Sequence, residues 1–167
     1  IIIREPTSRT EKADGLIADV PNLTLTIRWA DCQNFVIYAP EKNMGGLLHA
    51  GWCGLNAGAI PRFFEMLKNE WGIDPKDTYV GAGPSLCQRC AGFTDPVMEL
   101  PNISTRFFDG KNVDLRGSAD AMFDELGIPK EQRERHPDCP RCSPQTYWTY
   151  RGGDRDKVLA GHTNVLT

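Results

Sequence analysis

The sequence predicts an α+β domain, and three observations carry that reading. Short strand patterns follow one another across brief turns, at 23–29, 34–39 and 45–49. Helical spacing of apolar residues appears between strand patterns, most clearly after Gly54. Strands paired by short turns with interspersed helices favour α+β over a doubly wound parallel sheet. A chain of 167 residues suits one domain with a substantial core.

Taken in order, Ile1 to Ile3 reads as the end of a strand, and Arg4 to Lys12, polar and containing Pro6, as a loop. Ala13 to Ile17 reads as a short link and Pro21-Asn22 as a turn. Leu23, Leu25, Ile27 and Trp29 alternate with Thr24, Thr26 and Arg28, which predicts a strand with one buried face. Asn34 to Ala39 is an apolar strand, Pro40 to Asn43 its turn, and Gly45 to His49 the next strand. Ile60, Phe63, Phe64, Leu67 and Trp71 recur at helical spacing, with Pro61 in the first turn and Gly72 just past the end. Thr78 to Ala82 reads as a strand and Asp95 to Leu100 as a short helix. Phe107-Phe108, Asp109-Gly110 and Val113 to Leu115 read as a hairpin. Ser118 is the expected cap of a helix with the face Ala119, Met122, Phe123 and Leu126, ended by Gly127. Pro129 to Arg135 reads as a further helical turn, and Gln145 to Tyr150 and Lys157 to Val165 as the last strands.

Charge and composition exclude some partners. The formal net charge is −3 and no basic block appears, so no nucleic-acid footprint is expected. No apolar run is long enough to span a bilayer, and no signal peptide is visible, so a cytoplasmic location is expected. The six cysteines are Cys32, Cys53, Cys87, Cys90, Cys139 and Cys142. Two C-x-x-C pairs without a signal peptide suit a metal site better than disulfides.

Chemistry concentrates at the stretch His49 to Leu55. A buried strand ends there and the chain turns through Gly51 and Gly54. A neighbouring strand pattern carries Asp31-Cys32. If the strands are adjacent, Cys32 and His49 are either two ligands of one metal ion or a thiol and its base. The bland readings are a buried small residue and a satisfied core histidine; Asp31 orients a ligand or closes a turn. The Cys87/Cys90 and Cys139/Cys142 pairs have the form of two knuckles completing a closed, structural four-thiolate zinc site, although about fifty residues separate them. Gly81-Ala82-Gly83 is followed by Pro84 and lacks a third glycine, so a dinucleotide loop is rejected. Tyr147, Trp148 and Tyr150 are either a stacking platform or core, and Arg151 either an anion ligand or a solvated loop residue.

Ala30-Asp31-Cys32, His49-Ala50-Gly51-Trp52, Gly83-Pro84-Ser85, Asp114-Leu115 and Tyr147-Trp148-Thr149-Tyr150-Arg151 occur in this order. That series, with Ala13-Asp14-Gly15-Leu16 ahead of it, resembles the signature of the multicopper polyphenol oxidase, or laccase-domain, family, whose members are often described as purine nucleoside phosphorylases. The resemblance implies one laccase-domain-like domain over residues 1–167, short of the family's N-terminal strands. It implies an α+β fold of mixed sheets covered by helices, as in cysteine–histidine deamidase toxins. It implies a metal, zinc with copper as the alternative, held by a His-Cys-His set. Cys32 and His49 are its Cys and second His, and the first His falls in a Val-His-Gly segment upstream of Ile1. Asp31 is then a supporting residue, Arg151 holds an anionic group, and the substrates are a purine nucleoside and phosphate. The chain departs from the family at Cys53, where an arginine is usual, at Gly152, the second of a double arginine, and at Trp29, where threonine is usual. Cys53, four residues after His49, is the candidate replacement for the third ligand. The old oxidase label is weak, because a multicopper centre needs many imidazoles and the chain has three histidines. Three readings follow: a zinc-dependent purine nucleoside phosphorylase or adenosine deaminase, a metal-free Cys32–His49 hydrolase or deamidase, and a non-catalytic relative with a structural four-cysteine zinc site.

Overall fold

The computed structural model describes residues 1–6 and 12–167. The loop expected over Arg4 to Lys12 therefore lies partly outside the described residues. Among the described residues the strands are β1 (Gly15–Ala18), β2 (Ile27–Trp29), β3 (Gln33–Ala39), β4 (Met44–Ala50), β5 (Tyr79–Ala82), β6 (Phe108–Asp109), β7 (Asn112–Val113), β8 (Arg133–Arg135) and β9 (Asn164–Leu166). The α-helices are α1 (Trp52–Asn56), α2 (Ala59–Trp71), α3 (Pro96–Glu99), α4 (Leu115–Glu125) and α5 (Arg155–Leu159). The main sheet has the order β1-β4-β3-β5-β8, and β2-β9 and β6-β7 form two small ribbons. All pairs in the main sheet are antiparallel except β5–β8, so the sheet is mixed, as the family resemblance implies. No helix among the described residues is long and apolar enough to cross a membrane.

The centre of the sheet is the β3–β4 hairpin. Pro40–Lys42 makes a turn of 3₁₀ helix, and Asn43 takes a left-handed conformation (φ 48°) that returns the chain. Asn tolerates that region better than most residues because its short side chain bonds locally. The register sets Gln33 opposite Ala50 and Asn34 opposite His49. Extended by one residue, it brings Cys32 opposite Gly51, and this alignment builds the site below.

α2 covers one face of the sheet. Ile60, Phe63, Phe64 and Leu67 follow i, i+3, i+4, i+7 spacing and are all buried. Burying each contributes about 1.5–3 kcal/mol relative to exposure. Pro61 sits in the first turn and Gly72 caps the end at φ 67°, as expected. The helix lies close on the backbone: a Cβ on Gly46 would meet the Phe63 ring at 2.6 Å, and one on Gly15 at 2.9 Å. α4 completes the core through Phe123, whose ring meets Phe35 edge-on at 5.2 Å and Phe64 at 6.2 Å.

Several expectations are corrected. Ala13 to Ile17 is not merely a link, because Gly15–Ala18 pairs with β4 as an edge strand. The long alternating strand over 23–29 pairs only at Ile27–Trp29. α4 is capped by Asp114, whose Oδ1 accepts from the Gly117 N–H at 2.9 Å; Ser118 lies inside the helix and donates back to the Leu115 carbonyl. Within 129–135 only Lys130–Gln132 is helical, and Arg133–Arg135 joins the sheet beside β5. Gln145 to Tyr150 is not a strand. Its backbone is held by side chains instead: Trp148 exchanges two hydrogen bonds with the Asn164 amide, at 3.0 and 2.8 Å. The following Gly152-Gly153 makes a wide turn, with Gly153 at φ 117°, that leads into α5 rather than into a strand.

Candidate functional site

The β3–β4 register decides the first part of the site. Cys32 ends the turn before β3, and His49 lies at the end of β4. A Cβ built on Gly51 would stand 2.7 Å from the Cys32 Sγ and 3.5 Å from the His49 Cε1. The thiol and the imidazole thus flank the same glycine, and only the missing side chain makes room for them. His49 Nδ1 lies 3.1 Å from Asp14 Oδ1, and its backbone N–H donates to the Asp14 carbonyl at 2.8 Å. A carboxylate on Nδ1 fixes the tautomer that leaves Nε2 with its lone pair, the usual arrangement of a metal-ligating or basic histidine. Asp14 is a site residue that reasoning on the sequence missed, although it lies in the Ala-Asp-Gly-Leu stretch matched to the family pattern.

Cys32 and His49 open onto a cavity of about 390 Å³, which Trp52, Tyr150 and Arg151 also line. That size is within the usual range for small-molecule sites, about 300–1,000 Å³. Burial first, and then the negative Asp31, push the Cys32 thiol up to about 11, while Arg151 pulls the other way. At neutral pH the thiol therefore stays protonated unless a cation or a base takes up its charge.

Asp31 is a joint rather than a ligand. It sits in a left-handed turn (φ 72°) and is buried. One carboxylate oxygen accepts from Thr149 Oγ1 and the other from the Arg151 N–H, both at 2.7 Å. Its carbonyl accepts from the Leu86 N–H at 3.0 Å. One side chain thus ties the Cys32 turn to the 149–151 segment across more than a hundred residues of sequence. The Arg151 guanidinium donates to the Gly92 carbonyl and stacks 4.9 Å over the Phe93 ring.

Cys53, the candidate third ligand, does not gather with Cys32 and His49. α1 starts at Trp52 and carries Cys53 to an exposed position. Among the described residues, one set of three or more metal-ligating side chains has its ligand atoms together, and it is the two C-x-x-C pairs. Cys32 and His49 offer a thiol and an imidazole, two side-chain types that zinc accepts as ligands.

The four-cysteine cluster is built from two matching knuckles. Cys87 precedes the 3₁₀ turn Gln88–Cys90, and Cys139 precedes the 3₁₀ turn Pro140–Cys142. In each, the N–H of the second cysteine donates to the carbonyl of the first, at 2.9 and 3.0 Å. The four sulfurs lie within 4.8 Å of one another, with Cys90–Cys142 at 3.6 Å and Cys87–Cys142 at 3.9 Å. Zinc–sulfur bonds of about 2.3 Å in a tetrahedron require sulfurs about 3.8 Å apart. The cluster can therefore hold a metal ion. Burial alone would raise the Cys87 thiol, but hydrogen bonds from Cys139, Cys90 and Cys142 outweigh it and bring it down to about 7. Cys90 is raised, by burial first and then by Cys142 and Cys87. The Cys87 thiolate is thus favoured by its neighbours while further negative charge on Cys90 and Cys142 is opposed, until a cation offsets it. Arg116 of α4 clamps the same region, donating to the carbonyls of Pro137, Asp138 and Ser85.

Comparison with known proteins places this geometry. The family model described as multi-copper polyphenol oxidoreductase laccase matches residues 1–164. The purine nucleoside phosphorylase YlmD of Geobacillus stearothermophilus is 33% identical over 158 residues, 89% of this chain and 57% of that protein. The adenosine deaminase RL5 of an unknown prokaryotic organism is 26% identical over 159 residues, 89% of this chain and 60% of that one. The crystal structure of the hypothetical protein YfiH of Bacillus licheniformis superposes with a TM-score of 0.77 at 27% identity, over 86% of this chain and 57% of that chain. The chain spans less than two thirds of the length of each of these relatives.

Proposed function

Because the chain belongs to the multi-copper polyphenol oxidoreductase laccase family, we propose that it acts on purine nucleosides, as a zinc-dependent phosphorylase, through the cavity at Cys32 and His49. The observation that carries the reading is the pairing of the Cys32 thiol and the His49 imidazole around Gly51, at the wall of a cavity that also holds Arg151. Relatives named as purine nucleoside phosphorylases support it.

Cys32 and His49 would hold the zinc, which supplies a Lewis acid and an exchangeable position when bound. Asp14 orients the His49 ring through Nδ1, which would leave Nε2 as the ligating nitrogen. Arg151 holds the phosphate, and Asp31 keeps Arg151 in place by accepting from its backbone N–H. In phosphorolysis a phosphate oxygen bonds to the ribose anomeric carbon while the bond to the purine nitrogen breaks. The base leaves with the bonding pair and takes up a proton. The aromatic walls Trp52 and Tyr150 offer faces for the base. Adenosine deamination, in which water adds at C6 and ammonia leaves, is the second reading, favoured by the likeness to a relative named adenosine deaminase. The four-cysteine site is proposed to hold a structural zinc, since four thiolates leave no open position for chemistry.

The test is turnover of inosine and adenosine with added zinc, with and without phosphate, following free base, ribose 1-phosphate and ammonia. Phosphate-dependent release of the base, abolished by Cys32→Ala and by His49→Ala at unchanged melting temperature, is expected. Phosphate-independent ammonia release selects the deaminase reading. Equal turnover by Cys32→Ala refutes the assignment of the site.

A further inference from the structure

Arg28 stands on β2 between the buried Ile27 and Trp29, where alternation alone makes it an outward, solvated residue. It nevertheless lines the cavity shared by Cys32, His49 and Arg151. We propose that Arg28 and Arg151 together form the phosphate subsite of this cavity. The proposal rests on the nucleoside phosphorylase reading and adds a residue to it.

Two observations carry it. First, both guanidiniums are anchored by the backbone of separate segments. Arg28 donates through Nη2 to the Gly161 carbonyl in the turn after α5, and Arg151 donates through Nη1 to the Gly92 carbonyl. A guanidinium has five N–H donors, so one anchoring bond leaves a pre-oriented fork for an anion. Second, neither side chain forms an ion pair among the described residues. Among the described residues the cavity is lined by one carboxylate, Asp31, and its oxygens accept from Thr149 Oγ1 and the Arg151 N–H. Two arginines without an ion-pair partner among the described residues thus line a cavity whose lining carboxylate, Asp31, is already satisfied.

Free phosphate and the monoester of a nucleotide share the dianionic oxygen cluster that such a pair recognises, so both serve as probes. Inorganic phosphate and adenosine 5′-monophosphate are each titrated calorimetrically into the zinc-loaded protein. Arg28→Gln is expected to weaken phosphate binding about tenfold or more, the usual cost of a lost charge-assisted contact. Arg28→Lys should fall between, because a point charge lacks the fork. Arg28 is exposed, so these variants should melt like the parent. A tenfold effect on the monophosphate, without binding of free phosphate, assigns the same subsite to a nucleotide. Affinities within twofold of the parent for both probes, or no binding of either by the parent, overturn the proposal. Binding is read without turnover. An Arg28-dependent phosphate site in a protein that cleaves no inosine therefore sinks the phosphorylase reading alone, and inosine cleavage untouched by Arg28→Gln sinks the subsite alone.

Discussion

Replacing Cys142 with serine tests the four-cysteine site with little interference from packing. Cys142 is exposed, unlike Cys90 and Cys139, so the new hydroxyl meets water rather than core. What the change removes is one metal ligand, and with it a cross-link between two distant segments. The sulfurs it joins are 52 and 55 residues apart in sequence. Closing a loop of roughly 50 residues by a covalent bridge is worth about 4 kcal/mol in chain entropy, and a fully coordinated metal gives a similar constraint. For a chain of this size each kcal/mol moves the melting temperature by about 2–4 °C, so the expected fall is roughly 8–16 °C. The assay is a thermal melt of zinc-loaded parent and Cys142→Ser, with and without a strong chelator, beside elemental analysis. The parent should carry one zinc at this site, and chelation should bring its melt down to that of the variant. A parent that holds no metal there, or a variant that melts with the parent while chelator changes neither, refutes the reasoning.

Gly51→Ala places a methyl 2.7 Å from the Cys32 Sγ. Because Gly51 has an ordinary φ of −65°, the backbone accepts alanine; the thiol must move, and nucleoside turnover should fall by tenfold or more, on the order of what misplaced catalytic groups cost, with little change in melting temperature. Asp14→Asn leaves a neutral partner on His49 Nδ1 and should weaken metal affinity or activity about 10–100-fold, read by competition with a zinc indicator. Gly83→Ala would put a Cβ 2.1 Å from the Oδ1 of the fully buried Asn34, and denaturant melts should show a loss of about 1–3 kcal/mol. Arg133 holds the Asp124 carboxyl below its ordinary value through a hydrogen bond, against a small opposing effect of burial. A lowered folded value means stability present above the unfolded pKa near 4 and lost as pH falls through the folded one. Asp124→Asn should therefore flatten the acid limb of the stability curve slightly, as befits an exposed pair, and an acid limb steeper than the parent's would contradict this.

The sequence by itself determined whatever depends on residues close together in the chain. Apolar spacing from Ile60 to Leu67, closed by Gly72, specified α2, because one helical face must be buried and a left-handed cap must end it. The Asp109-Gly110 turn specified the β6–β7 hairpin, and the strand runs around Pro40 specified β3 and β4. C-x-x-C spacing specified two knuckles, since three residues of 3₁₀ turn bring the two thiols of each pair to one side. That both knuckles meet was an inference from thiol number alone, and their contact depends on β5 and β8 lying side by side, a parallel pairing with no local signal. The same limit explains the misread segments. Tyr147 to Tyr150 has strand-like composition, but Asn164 and Asp31, both remote in sequence, supply the partners that a neighbouring strand would have supplied. Asp14 became the partner of His49, Asp31 the joint to Thr149 and Arg28 a wall of the cavity only once β1, β4 and β2 were set against their neighbours. Periodicity and capping act over one turn or one strand, whereas a site is assembled by contacts across the whole chain, and those are decided by packing.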